Sequence, residues 1–178
     1  IFSHGTSHIS NNKLGLTHQY RGASFQAMDY LNISTREFLI ADSLLPDNGD
    51  KIQNYVDLAT NYGLLGDLES AEKQLIAARE LGEVLQDEYM IYHVQIQFGI
   101  LYKQQKKYAK SDSILLLAKK YFESIDDMRF VIGTESELFE NQTLQGNYSE
   151  AIKGLKKHLK SNYYQSDSLY LSAVFDQI

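Results

Sequence analysis

With 178 residues, 43% of them hydrophobic, and a net charge of −6, the chain has the length of one domain or one continuous array and too much apolar content for disorder. Cysteine is absent, which excludes thiol catalysis, disulfides and cysteine-ligated zinc, and the longest uninterrupted apolar run, Ile114 to Ala118, is far short of a membrane span. The acidic excess lies in residues 1–88, with 6 Lys+Arg against 13 Asp+Glu; residues 89–178 carry 11 against 10, so neither half is the basic domain of a nucleic-acid binder.

Residue 1 is Ile and no basic-then-apolar leader follows it, so the sequence reads as part of a processed or longer chain and leaves its compartment open, cytoplasmic or periplasmic. Residues 1–13 read as a tail or as the end of a preceding repeat. Beyond them proline occurs once, at Pro46, and Leu, Ala, Lys and Glu are dense, which permits long helices throughout. The first unit, 14–50, predicts helices over 14–28 and 31–45, with Gly22 and Phe25 facing Leu31, Ser34, Phe38 and Ala41. Pro46 stands where its second helix should stop.

The second unit, 51–87, predicts helices over 51–65 and 68–85. Tyr55, Leu58, Ala59, Tyr62 and Leu65 recur at the spacing of one helical face, and Leu68, Ala71, Leu75 and Ala78 form the facing stripe. Ala59, Ala71 and Ala78 let the two helices approach closely. The third unit, 88–127, repeats this over 88–105 and 108–124 with Phe98, Gly99 and Tyr102, then Tyr108, Ser111, Leu115 and Ala118. The fourth, 128–166, repeats it over 128–145 and 148–162 with Leu138, Phe139 and Gln142, then Tyr148, Ala151, Leu155 and His158. Residues 167–178 predict a further first helix, or a capping helix, over 168–178.

Gly66, Lys106 and Gly146 fall at matching turns, each followed two residues on by Leu68, Tyr108 and Tyr148 and five on by Ala71, Ser111 and Ala151. A fixed period of this size means stacked helix pairs. Between units, Asp50, Asp87 and Asp127 are expected to cap the next helix through their side-chain oxygens.

The helix–turn–helix unit, with its small residue followed by Tyr and then Gly-x-aromatic or Leu-x-x-Ala, resembles the tetratricopeptide repeat across 14–163. The period here is 40 residues rather than the family's usual 34 or so, Trp is absent, and Lys106 replaces the turn glycine. The resemblance implies an all-α, right-handed α-solenoid of antiparallel helix pairs. Long-period units of this kind look like those of bacterial regulatory and sensor proteins, in which such arrays adjoin an output domain.

No motif for a nucleophile, a phosphate loop or a metal site is present. His4 and His8 are too few to hold zinc, and neither a cofactor nor a metal is expected. Glu135, Glu137 and Glu140 read as a solvated helix face rather than as catalytic carboxylates, which need a closed pocket. The runs Lys103, Lys106, Lys107, Lys110 and Lys153, Lys156, Lys157, Lys160 are diluted by Asp112 and Glu150 and are not expected to bind nucleic acid. Asn32, Asn141 and Asn147 begin glycosylation-like triplets, but Ser34 and Tyr148 are expected to pack between helices.

In such a solenoid the first helices line the concave side. The side chains expected there are Gln19, Gln26, Gln53, Asp57, Thr60, His93, Gln97, Lys103, Glu137 and Glu140, an amide-rich and acidic set suited to a peptide. The Lys, Arg and Asn clamp of chaperone-tail binders is not reproduced, since Gln19, Ala23, Asp57, His93 and Gln97 stand at its positions. The sequence therefore predicts a non-catalytic protein- or peptide-binding scaffold, the interaction or sensory segment of a larger bacterial regulator. The alternative is a domain that a peptide or small ligand switches by changing superhelix curvature; an enzyme is third. Weak self-association through the C-terminal helix is expected as well.

Overall fold

The computed structural model describes residues 10–159, in which eight helices and no strand are found. They are α1 (Asn11–Ala27), α2 (Leu31–Leu44), α3 (Gly49–Leu64), α4 (Leu68–Leu85), α5 (Glu88–Gln104), α6 (Tyr108–Ser124), α7 (Met128–Leu144) and α8 (Tyr148–Leu159). The His4/His8 pair, the end of the helix expected over 148–162 and the C-terminal helix expected over 168–178, with its role in self-association, lie outside the described residues.

Helices α1 and α3 begin earlier than the sequence pattern suggests because other residues cap them. Ser10 Oγ accepts from Lys13 N, and Asn48 Oδ1, not the expected Asp50, accepts from Lys51 N at 3.2 Å. Asp87 and Asp127 cap as expected, accepting from Met90 N at 3.0 Å and Phe130 N at 3.5 Å. Asp67 adds a further cap on Ser70 N at 3.0 Å.

The turns share one closure. Asp67 N donates to Tyr62 O, Lys107 N to Tyr102 O and Asn147 N to Gln142 O at 2.8–2.9 Å, the six-to-one bond that ends a helix over a left-handed residue. That residue is Gly66, Lys106 or Gly146, with φ of 80°, 59° and 80°. A Cβ on Gly66 would meet no neighbour. Gly66→Ala is thus expected to lower stability by about 1–2 kcal/mol through backbone strain alone, read as a fall in Tm with an unchanged circular dichroism spectrum.

Each first helix packs antiparallel on its own second helix, and each second helix on the next first helix. Successive first helices also touch (α1–α3, α3–α5, α5–α7), whereas among the described residues no comparable contact joins successive second helices. The stack therefore crowds along the first helices and splays along the second ones. It is an α-solenoid whose inner face is built from α1, α3, α5 and α7.

Small residues set the close approaches. Ala71, Ala78 and Ala118 are buried, and a Cβ on Gly22 or Gly99 would come within 2.6 Å of Phe38 or Leu115. One apolar core joins the second and third pairs through Ile52, Val56, Leu75, Val94, Phe98 and Leu101. A second, around Leu115, Phe122 and Val131, joins the third and fourth. Tyr148, expected between helices, is instead 61% exposed at the start of α8.

Candidate functional site

The inner face is legible as a register. Four positions recur on each first helix at i, i+4, i+7 and i+11. They are Leu16, Tyr20, Ala23 and Ala27 on α1, then Gln53, Asp57, Thr60 and Leu64 on α3. On α5 they are His93, Gln97, Ile100 and Gln104, and on α7 Gly133, Glu137, Glu140 and Leu144. None of these residues is fully buried: Asp57, His93 and Gln97 are half-buried, and Thr60, Leu64 and Gln104 are exposed. Most of them are left over once each first helix has packed on its neighbours; His93, Glu137 and Glu140 also touch the adjacent first helix.

Seven of the ten expected site residues belong to this register: Gln53, Asp57, Thr60, His93, Gln97, Glu137 and Glu140. The other three do not. Gln19 is 7% exposed and its Nε2 donates to the Asp50 carbonyl at 3.0 Å, tying α1 to α3. Gln26 Nε2 donates to Asn61 Oδ1 at 2.8 Å across the same joint. Lys103 turns from α5 to α7, donating to Glu137 Oε2 at 2.6 Å and to Glu140. These three point at the next first helix rather than into the open face, so their polar groups serve the stack. Tyr20, Leu64, Ile100, Gln104 and Leu144, which the sequence reading passed over, occupy the open positions instead.

The carboxylates of α7 are not the free solvated face expected of them: Glu137 and Glu140 hold Lys103, and Glu135 meets Lys119 at 2.9 Å. Burial opposes the Lys103 charge, but its bonds to the two glutamates outweigh that and hold its pKa above the ordinary lysine value. Three lysines of the first basic run have partners within the chain. Lys103 faces inward, Lys107 donates to Gln105 Oε1 at 2.7 Å, and the Lys110 ammonium lies 3.9 Å from the Tyr102 ring centroid.

On α3, Gln53 Nε2 donates to Asp57 Oδ1 at 2.9 Å, and no cation pairs with Asp57 among the described residues. Burial pushes the Asp57 pKa up to about 6 against the lowering effect of Gln53. An acid whose folded pKa exceeds its unfolded value opposes folding when ionised. The penalty is absent below the unfolded value of 3.8, grows as pH rises toward 6 and is complete above it. Asp57→Asn is expected to raise stability at pH 7 by on the order of 1–3 kcal/mol, and to leave Tm unchanged at a pH below the unfolded value.

Two clefts open on the inner face. One, of about 140 Å³, lies between α3 and α5, walled by Ala59, Leu75, Ile100 and Leu101 and rimmed by Thr60, Gln97 and Gln104. The other, of about 320 Å³, lies between α5 and α7 over Ile96, Phe130 and Gly133, with Arg129 and Glu137 at its edges. His93 stacks edge-on against Phe130 at 5.0 Å; burial and then the Arg129 charge lower its pKa, so its ring is neutral at pH 7. Among the described residues, no three His, Asp or Glu side chains are grouped to hold a metal ion, and no helix is long and apolar enough to cross a membrane.

No protein-family model matches the chain, and no curated protein matches it in sequence. Solved structures do match in shape. The apo form of RapI is similar with a TM-score of 0.73 at 19% identity, over 94% of this chain and 47% of that one. A Rap protein complexed with Competence and Sporulation Factor is similar with a TM-score of 0.63 at 15% identity, over 94% of this chain and 59% of that one. The chain thus spans about half the length of these structures, and what it shares with them is the fold, a helical solenoid.

Proposed function

We propose that this chain is a non-catalytic scaffold that binds a peptide or an extended protein segment along the inner face of α3, α5 and α7, as the interaction or sensory part of a larger regulatory protein. The observation that carries this reading is the register of unburied amide, hydroxyl, carboxylate and aliphatic side chains, repeated from helix to helix on the crowded side of the stack. Polar side chains that helix packing leaves open at least in part, set in line on a rigid support, suit a ligand that is itself a line of amides. The similar fold of a Rap protein complexed with Competence and Sporulation Factor supports it.

The test is selection of binders from a displayed peptide library, followed by titration against variants. Gln53→Ala combined with Gln97→Ala removes two inner-face amides, worth about 1–3 kcal/mol together, and should weaken binding on the order of tenfold with unchanged far-UV circular dichroism. Lys73→Glu combined with Lys153→Glu, on the outer wall, should leave binding intact. The reverse pattern would move the site to the outer wall.

A further inference from the structure

The three joints between helix pairs are not alike. At the joint between the first and second pairs, Asn61 Nδ2 donates to Ser34 Oγ at 2.7 Å, Ser34 Oγ donates to the Gly22 carbonyl at 2.8 Å, and Gln26 reaches Asn61. Forty residues on from Asn61, plus forty again, the joint between the third and fourth pairs repeats this. Asn141 Nδ2 donates to Ser111 Oγ at 2.8 Å, Ser111 Oγ to the Gly99 carbonyl at 2.7 Å, and Lys103 reaches Glu137 and Glu140.

At the middle joint three of these positions have lost their polar group, and Gln97, where Glu137 stands in the third joint, has no partner across the joint among the described residues. Leu101 stands where Asn61 and Asn141 do, Ala71 where Ser34 and Ser111 do, and Gly63 where Gln26 and Lys103 do. No side-chain hydrogen bond or ion pair is seen to cross this joint among the described residues; it is held by apolar packing and by Arg79 over the Phe98 ring. The 140 Å³ cleft between α3 and α5 opens there, over Gly63.

Hydrogen bonds fix both distance and angle, whereas apolar contact resists separation but has no preferred direction. Helices packed only by apolar contact can slide by small amounts, which is the shear motion of multi-helix proteins. Two pinned pairs of pairs joined by one unpinned interface give a solenoid that flexes at its middle.

We propose that the middle joint is a shear plane, and that the α3/α5 cleft on it is the seat of one uncharged aliphatic side chain of the bound peptide, which sets the angle between the two halves. The occupant's chemistry follows from the site. Its walls are aliphatic and its rim, Thr60, Gln97 and Gln104, carries no charge. A charged group entering it would lose water with no counter-ion, whereas the two rim amides can bond the backbone on either side of an aliphatic residue. An apolar cavity of about 150 Å³ accepts a benzene-sized guest, so the volume suits a Leu or Ile side chain. The seat rests on the peptide reading above; the shear plane does not.

Because the chain has no cysteine, spin-label pairs can be placed cleanly: Asn32→Cys with Glu80→Cys across the first joint, Glu80→Cys with Lys120→Cys across the middle one, and Lys120→Cys with Lys153→Cys across the third. Pulsed dipolar spectroscopy should give a broader distance distribution for the middle pair than for either other pair. Gly63→Leu, which puts an aliphatic group into the cleft, should narrow it to match them; Thr60→Leu serves if that variant does not fold. Equal widths at all three joints would overturn the shear plane. N-acetyl-leucinamide should shift the methyl resonances of Ile100 and Leu101, and N-acetyl-lysinamide should not. Equal response to both probes, or to neither, would overturn the seat. If the spectra behave as expected and no library peptide binds, the peptide reading falls while the shear plane stands.

Discussion

Phe122→Ala is expected to cost about 3–5 kcal/mol, the range for removing a fully buried aromatic ring. Phe122 is 0% exposed and sits where three helices meet. Its ring stacks on Phe130 of α7 at 4.5 Å and takes the edges of Tyr89 of α5 at 5.5 Å and Tyr121 of α6 at 5.2 Å. Truncation leaves those rings facing a void, and Tyr89 is also held to Asp127 and Arg129, so it cannot swing in to fill the space without breaking those bonds. Urea denaturation would read the loss as a lower midpoint. Phe122→Leu keeps most of the volume and should cost distinctly less. A midpoint unchanged in Phe122→Ala would mean that the third and fourth pairs do not share this core.

The second large effect is a contrast of sign between two glycines in the middle of first helices. Gly99 sits where a Cβ would lie 2.6 Å from Leu115, a fully buried residue with no room to retreat. Gly99→Val is expected to cost about 1–3 kcal/mol by overpacking, at the upper end because the branched side chain enters deeper. Gly133, one position of the inner-face register, has nothing within 4 Å of a Cβ. Gly133→Ala should therefore stabilise by about 1 kcal/mol, the helix-propensity difference between the two residues. Thermal denaturation of the two variants should move Tm in opposite directions. Movement in the same direction would mean that the α5/α6 contact is not as tight as Leu115 makes it.

The repeat was legible in the sequence because its turns are local. Gly66, Lys106 and Gly146 are spaced alike, and the left-handed residue that ends each first helix is fixed by a six-to-one hydrogen bond within the same turn. Ala71 and Ala118 were legible for a similar reason, since each is a small residue at a fixed step from a turn, where helices approach closely. The inner face was less legible. Gln19, Gln26 and Lys103 look like ligand-binding residues by type, yet each lies about one step around the helix from the open register and reaches the next first helix. Ile100, Leu64 and Tyr20 were passed over because apolar side chains read as core. Stepping from Gln53 by four, three and four residues, and then by the 40-residue period, would have separated the two sets without coordinates. The capping role of Asn48 in place of Asp50 was not legible, because both are good capping residues and stand two positions apart; α3 begins at Gly49, which puts Asp50 inside its first turn.

The most direct test of the inner face as the partner surface is resonance mapping with a peptide selected against the wild-type chain. Amide and methyl shifts should concentrate at Gln53, Thr60, Gln97, Ile100 and Gln104, which belong to two adjacent first helices and rim one cleft or its approach. Shifts concentrated instead at Lys73, Leu116, Leu117 and Lys120, on the exposed outer wall of α4 and α6, with the inner face silent, would contradict it.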